Sequence, residues 1–396
     1  MYAVSTILAC LLASAAAAPQ NLAPLRTAPP NADPIPGKYI IKLKTPSVGA
    51  RDLAGTITDT VNKIADSLDA NPDFVYKDIG GFASDLTPNE LKDVRKNPKV
   101  EYIEEDFVVK TVATTEQKNA PWGLARISAR RPGSATYRYD DSAGSGTCSY
   151  IIDTGIQSDH PEFQGRAQQV ANLITSSKTD DNGHGTHVAG IIGSKTYGIA
   201  KLTKLYGVKV LDANGGGTGS SVLAGLDFVL KDYRKRSCPK GVVVNASLGG
   251  SASKALNDAV EAIVNANIFF AAAAGNEGVD AKTTSPASAP KACTVGATDS
   301  SDRVAGFSNF GSVLDLYAPG VAIPSTYPGS RTNVVLSGTS MATPHVAGLA
   351  AYFLGLGRSS GGGMCDYLKS WAQRGVLSGV RSGTPNVFAR NGYVTY

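Results

Sequence analysis

From residue 148 onward, short apolar runs alternate with longer segments of helical period, and this alternation limits the fold more than any other feature. The runs are CSYIID (148–153), LYGVKVLD (205–212), GVVVNAS (241–247), NIFFAAAAG (267–275) and ACTVGA (292–297). Between and after them come helix candidates: GHGTHVAGIIGS, SSVLAGLDFVLKDY, KALNDAVEAIVNA and TSMATPHVAGLAAYFL. Continuous apolar strands separated by helices imply a mostly parallel sheet covered by helices on both faces, an α/β unit. In such sheets, sites gather at the carboxyl ends of the strands.

The front of the chain follows another pattern. A Pro-rich entry (APLRTAPPNADPIPG) reads as a linker. After it come the alternating strand KYIIKLK from Lys38, a helix candidate over 58–68 and the strand-like FVYKDIGGFASDL. A helix opened by Thr87-Pro88-Asn89-Glu90 and the strand VEYIEEDFVVK complete the series. Strand, helix, strand pair, helix, strand predicts a small ferredoxin-like α+β domain. The halves differ in charge: through Thr114 there are 12 basic and 14 acidic residues, beyond it 26 and 19. The basic excess contains no run longer than Arg234-Lys235-Arg236, so a nucleic-acid partner is not expected.

The first twenty residues, MYAVSTILACLLASAAAAPQ, have the apolar run and small-residue end of a secretory signal, with a cut expected after Ala17. The run is short of the ~20 residues a membrane span needs, so an extracellular protein without a membrane anchor is expected. Cys10 belongs to the signal. Cys148, Cys238, Cys293 and Cys365 remain, an even number suited to an oxidising compartment, and their spacing allows three pairings. The closest two are 55 residues apart, unlike zinc ligands.

Three strand or helix ends carry groups that could act together: Asp153 after CSYIID, His184 at a glycine-flanked helix entry, and Ser340 opening another helix. Each type alone is common as a turn, structural or capping residue. Together they supply an orienting carboxylate, a base and a nucleophile. A hydroxyl becomes a competent nucleophile when an adjacent imidazole takes its proton. Asn276, at the end of FFAAAAGN, adds an amide that could donate to an oxyanion beside the Ser340 N–H.

DTGI, NGHGTHVAG, AAAGN and GTSMATPHVAGLAA, in that order, resemble the signature blocks of the subtilisin superfamily of serine proteases. NAPWGLARIS, YDDSAGSGTC, HPEFQGRA, SPAS and FSNFGSVLD are similar to its proteinase K group. The resemblance covers nearly all of 117–396, and the front unit resembles an inhibitor-type propeptide. It implies a subtilisin-like fold, with domains at 1–17 (signal), 18–112 (inhibitory propeptide) and 113–396 (catalytic).

By the same resemblance, Asp153, His184 and Ser340 form the triad, Asn276 is the oxyanion donor, and His187 is structural. A zinc pair of His184 and His187 would lack a third ligand. Ser247, Leu248, Gly249, Ala273, Ala274 and Gly275 would wall a first pocket free of charge, suited to aromatic or aliphatic side chains. Leu211 would stand at the second pocket, and Gly215, Gly216 and Gly217 would form an edge. Gly219 replaces an aromatic of the group's pattern at the fourth pocket, and Val188 replaces a free cysteine.

The implied disulfides are Cys148–Cys238 and Cys293–Cys365. A structural Ca2+ is implied at the carbonyls of Pro290 and Ala292 with Asp315, whereas a second site is lost to Val376, its carbonyl falling at Arg130. The implied product is a monomeric, autoprocessed zymogen acting on protein substrates. Its propeptide would be an intramolecular inhibitor, with FVVKTV lying in the cleft and the cut near Val112–Ala113. The sequon Asn245-Ala246-Ser247 leads into the substrate wall and is expected to be unmodified. An esterase is disfavoured by the absence of G-x-S-x-G and by the chain order, and a catalytically dead binding protein by the intact triad.

Overall fold

The computed structural model describes residues 22–28, 34–44, 50–68, 71–108, 114–174, 177, 179–329 and 333–393. The expected signal and the expected cut at Val112–Ala113 lie outside them. The chain divides into two compact units, Met1–Lys110 and Thr111–Tyr396.

In the first unit, strands Pro34–Leu43, Phe74–Tyr76, Gly81–Asp85 and Val100–Phe107 alternate with helices Ala50–Leu68 and Pro88–Val94. Their sheet order is last, first, third, second, as a ferredoxin-like domain requires. Thr87 opens the second helix through a reciprocal capping box with Glu90, which satisfies two otherwise unpaired N–H groups. One detail differs from the sequence reading: within the Pro-rich entry, Leu25–Arg26 adds a short parallel strand beside Val100–Phe107. Ile41, Phe82 and Ile103 from the sheet and Ile57, Val61 and Ile64 from the long helix form this unit's core.

The second unit is built on a nine-stranded sheet. Across it run Gln373–Arg374, Val387–Phe388, Leu316–Pro319, Cys293–Thr298, Phe269–Ala273, Gly241–Ala246, Thr147–Asp153, Lys204–Lys209 and Ala167–Asn172. All neighbouring pairs are parallel except the terminal one. Three buried apolar clusters occur among the described residues of this unit, and two of them carry its main helices. One includes the helices His184–Gly193 and Thr339–Gly355, the other Gly219–Asp232 and Lys254–Asn265. Such double cover explains why the strands are apolar at nearly every position rather than alternating. Disulfides join Cys148 to Cys238 and Cys293 to Cys365, the implied pairing, with both Cα separations 5.6 Å.

Candidate active site

Asp153 ends a seven-residue strand that is buried throughout. Its Oδ1 accepts from the Thr154 N–H at 2.7 Å and faces His184 Nδ1 at 2.8 Å. The imidazole enters on a helix whose cap, Gly183, has φ of +108°, a conformation that favours glycine. A Cβ there would fall 2.2 Å from the Tyr327 ring, and one at Gly185 would fall 2.1 Å from the Gly155 carbonyl. Gly183 lets the His184 helix start against Tyr327, and Gly185 lets it close on the turn after Asp153. Burial pushes the His184 pKa down, but the Asp153 charge and hydrogen bond, helped by Asp180, outweigh it and raise the pKa above its ordinary 6.5.

Ser340 stands in the first turn of the Thr339–Gly355 helix, and Pro344 lies four residues on. Proline has no N–H, so the Ser340 carbonyl loses its normal helical donor. The Ser247 hydroxyl donates to that carbonyl instead, at 2.8 Å, while Ser340 Oγ donates to the Ser247 carbonyl at 3.2 Å. The nucleophile is therefore clamped to the substrate wall and is not bonded to His184 in this state. Asn276 Oδ1 accepts from the Thr339 N–H at 2.8 Å and from its hydroxyl at 3.0 Å. Those bonds use the amide oxygen and leave the NH2 free for a ligand.

Two adjoining cavities, of about 730 and 520 Å³, share Leu248, Gly249, Gly250 and Ser251. His184, Leu211, Gly215, Gly216, Gly217 and Ser247 line the first; Ala273, Gly275, Asn276 and Ser340 line the second. Gly219 also lines the first, where a Cβ would meet nothing within 4 Å. Ala274 lines neither cavity: it is fully buried, and its carbonyl accepts from Asn309 Nδ2 and Thr284 Oγ1. Ala273, the last residue of its strand, lines the cavity, whereas Ala274 belongs to a buried cluster with Leu314, Tyr317 and Phe388. The expectation of a charge-free pocket is also corrected. Glu277 lines the second cavity, its Oε2 accepting from Asn309 Nδ2 at 2.8 Å.

Beneath the Asp153–His184 pair lie two groups that motif reading passed over. Asp180, buried, accepts from Thr154 Oγ1, the Asn182, Gly183 and Thr186 N–H groups and Thr186 Oγ1. It thereby ties the turn after Asp153 to the start of the His184 helix. Lys209 is fully buried and in register beside Asp153. Its ammonium donates to Asp181 Oδ1 at 2.6 Å, the Thr154 carbonyl at 2.8 Å and the Leu211 carbonyl at 2.9 Å. The available sequence signals were a lysine at the end of an apolar strand and paired aspartates four and three residues before His184.

His187 and His345 are held by backbone carbonyls. His187 faces the carbonyls of Ile323 and Val334 through Nε2, at 3.1 and 3.0 Å, and burial lowers its pKa to about 4. His345 bonds the Met341 carbonyl and is lowered to about 4 in the same way. Asn245 is fully buried with its amide on Ser247 Oγ, leaving no room for a glycan in the folded protein.

At the implied calcium site, Asp315 already has a cationic partner. Asp315 Oδ2 accepts from the Thr294 N–H and Oδ1 from Lys369 Nζ, each at 3.0 Å. A Ca2+ ion takes six to eight oxygen ligands at about 2.3–2.6 Å, and the expected set offers a single carboxylate, already held by an ammonium. Of the set expected to hold calcium, Pro290, Ala292 and Asp315, the one carboxylate thus has the Lys369 ammonium as its partner in this structure. Cys293 and Cys365 approach Asp315 as well, but they are bonded to each other and are not free ligands.

Comparison with known proteins gives the family. Residues 144–360 match the subtilase family, whose members generally bind structural calcium, and residues 38–112 match the peptidase inhibitor I9 family. The chain is 49% identical to a cuticle-degrading protease of Metarhizium anisopliae over 393 residues, covering 98% of this chain and 99% of the relative. It is 51% identical to proteinase R of Parengyodontium album over 360 residues, 91% and 90% of the two chains. A solved cold-adapted subtilisin-like serine proteinase superposes with a TM-score of 0.65 at 41% identity, covering 69% of this chain and 99% of that one. With its family match, its relatives and the meeting of Asp153 with His184, the chain belongs to the subtilase family of serine peptidases and carries an I9 inhibitor domain.

Proposed function

We propose that the protein is a secreted serine endopeptidase, made as a zymogen, that cleaves proteins through Asp153, His184 and Ser340. The observation that carries this reading is the 2.8 Å contact of His184 Nδ1 with buried Asp153. With Nδ1–H donated to the carboxylate, Nε2 keeps a lone pair facing the cleft side. Substrate draws Ser340 Oγ away from the Ser247 carbonyl toward Nε2. As Oγ attacks the peptide carbonyl, its proton passes to Nε2. The tetrahedral oxyanion is held by the Asn276 NH2 and by the Ser340 N–H, an early helical donor with no acceptor among the described residues. Collapse breaks the C–N bond, and the departing amine takes the proton from Nε2. Water, deprotonated by the same nitrogen, then hydrolyses the acyl-enzyme.

The glycine-rich edges at 215–217 and 249–250 suit a substrate lying as an added strand, which favours broad specificity. Apolar Leu248 and Ala273 favour aromatic and aliphatic side chains in the first pocket. Glu277 adds tolerance for a basic one. The I9 unit acts as an intramolecular inhibitor released by cleavage near Val112–Ala113, and the product is a monomer. No helix among the described residues is long and apolar enough to cross a membrane. Labelling with a fluorophosphonate followed by peptide mass mapping tests the assignment: the adduct falls on Ser340 and is abolished in Asp153→Ala, whereas an adduct elsewhere would remove Ser340 as nucleophile.

A further inference from the structure

We propose that the Lys369 ammonium serves as the resident cation of Asp315 in place of a calcium ion, so that this region holds together without the metal. Asp315 is only 21% exposed, and it sits where two elements meet. On one side, its Oδ2 accepts from the Thr294 N–H of the strand Cys293–Thr298. On the other, its Oδ1 takes Lys369 Nζ from the helix Met364–Trp371, 54 residues away in sequence. Lys369 follows Cys365 by one helical turn, and the Cys293–Cys365 disulfide joins that helix to the strand beside Thr294. The covalent link thus presents the ammonium to the carboxylate.

Three further features favour the lysine over an ion. Lys369 lies in the helix's last turn, where the helix dipole favours positive charge. A second carboxylate, Asp366, pairs with it at 2.8 Å from one turn earlier, steering the side chain. An ion within bonding distance of Asp315 would meet Nζ, 3.0 Å from the same oxygen, with like charges in contact. The pairing joins strand, loop and helix as a structural divalent ion would, through a side chain that chelators cannot remove.

The test uses the secreted mature enzyme, inactivated with phenylmethylsulfonyl fluoride to stop autolysis and melted in millimolar EDTA or millimolar calcium chloride. Wild type melts at the same midpoint in both. In EDTA, Lys369→Met melts roughly 2–4 °C lower, the scale of a lost, partly exposed ion pair in a chain this size. Lys369→Arg, which keeps a cation, stays near wild type, and calcium restores the midpoint of Lys369→Met. The proposal is overturned if calcium raises the wild-type midpoint and Asp315→Asn abolishes that rise. It is equally overturned if Lys369→Met melts with wild type in EDTA.

Discussion

Replacing Lys209 with methionine keeps the length of the buried side chain and deletes its charge and three hydrogen bonds. The Thr154 carbonyl, in a fully buried residue, loses its ammonium partner, as does the carbonyl of half-buried Leu211. Orphaned buried acceptors cost about 1–3 kcal/mol each, with the half-buried one at the low end. Asp181 is 30% exposed and can rehydrate, so its lost bond adds little. Methionine no longer desolvates an ammonium, which offsets part of the loss and leaves about 2–3 kcal/mol. That corresponds to a melting midpoint roughly 5–10 °C lower. Thr154 follows Asp153 directly and Leu211 lines the cleft, so kcat/KM falls as well, by about tenfold or more if the pair shifts by a fraction of an ångström. Thermal melting of the inhibited enzyme and initial rates on a peptide substrate measure both. A variant melting within about 1 °C of wild type with unchanged kcat/KM would refute the clamp.

Three further outcomes are expected. The base must be neutral to accept the serine proton and its pKa is raised, so activity is present at alkaline pH and lost as pH falls through a midpoint above 6.5; Asp180→Asn, removing one raising charge, moves that midpoint down in a kcat/KM profile. Asn276→Asp keeps an oxygen for the two Thr339 bonds but has no NH2 group to donate, so it folds while kcat drops by at least about 10²–10³-fold, a scale taken from a donor deletion in a subtilisin; a tenfold drop or less would place the oxyanion elsewhere. Glu277→Gln should lower kcat/KM for substrates with lysine in the first pocket by about 3–10-fold and leave those with phenylalanine unchanged, and equal effects on both would remove the carboxylate from that pocket.

How much of this was legible depends on how far a side chain acts from its own segment. Asp153, His184, Ser340 and Asn276 stand at ends of apolar or helical runs, where α/β geometry brings distant segments to one edge, so sequence alone could nominate them. Ala273, Ala274 and Gly275 are consecutive in sequence, but Ala274 packs into a buried cluster with Leu314, Tyr317 and Phe388, which adjacency alone does not reveal. Glu277 follows the strand end, outside the motif that drew attention to Asn276. Lys209 sits in an otherwise apolar run, and two of its three acceptors, Thr154 and Asp181, come from distant segments that only the fold brings to it. Lys369 was hidden most completely: its partner is 54 residues away, and the disulfide that aligns them appears in sequence only as two cysteines with open pairing. The short strand at Leu25–Arg26 escaped because its ladder partner lies some 80 residues on, beside prolines that suggest a linker.

The central claim, one serine that both processes the precursor and turns over substrate, is tested most directly by the intact mass and N-terminal sequence of the secreted protein beside those of Ser340→Ala, with hydrolysis of a peptide bearing an aromatic residue at the cleaved position. The account predicts a wild-type protein that starts near Ala113 and turns over, and a mutant that stays joined to its inhibitor domain and is inert. Equal trimming of both proteins would show that another protease makes the cut, and turnover by Ser340→Ala would contradict the assignment of the nucleophile.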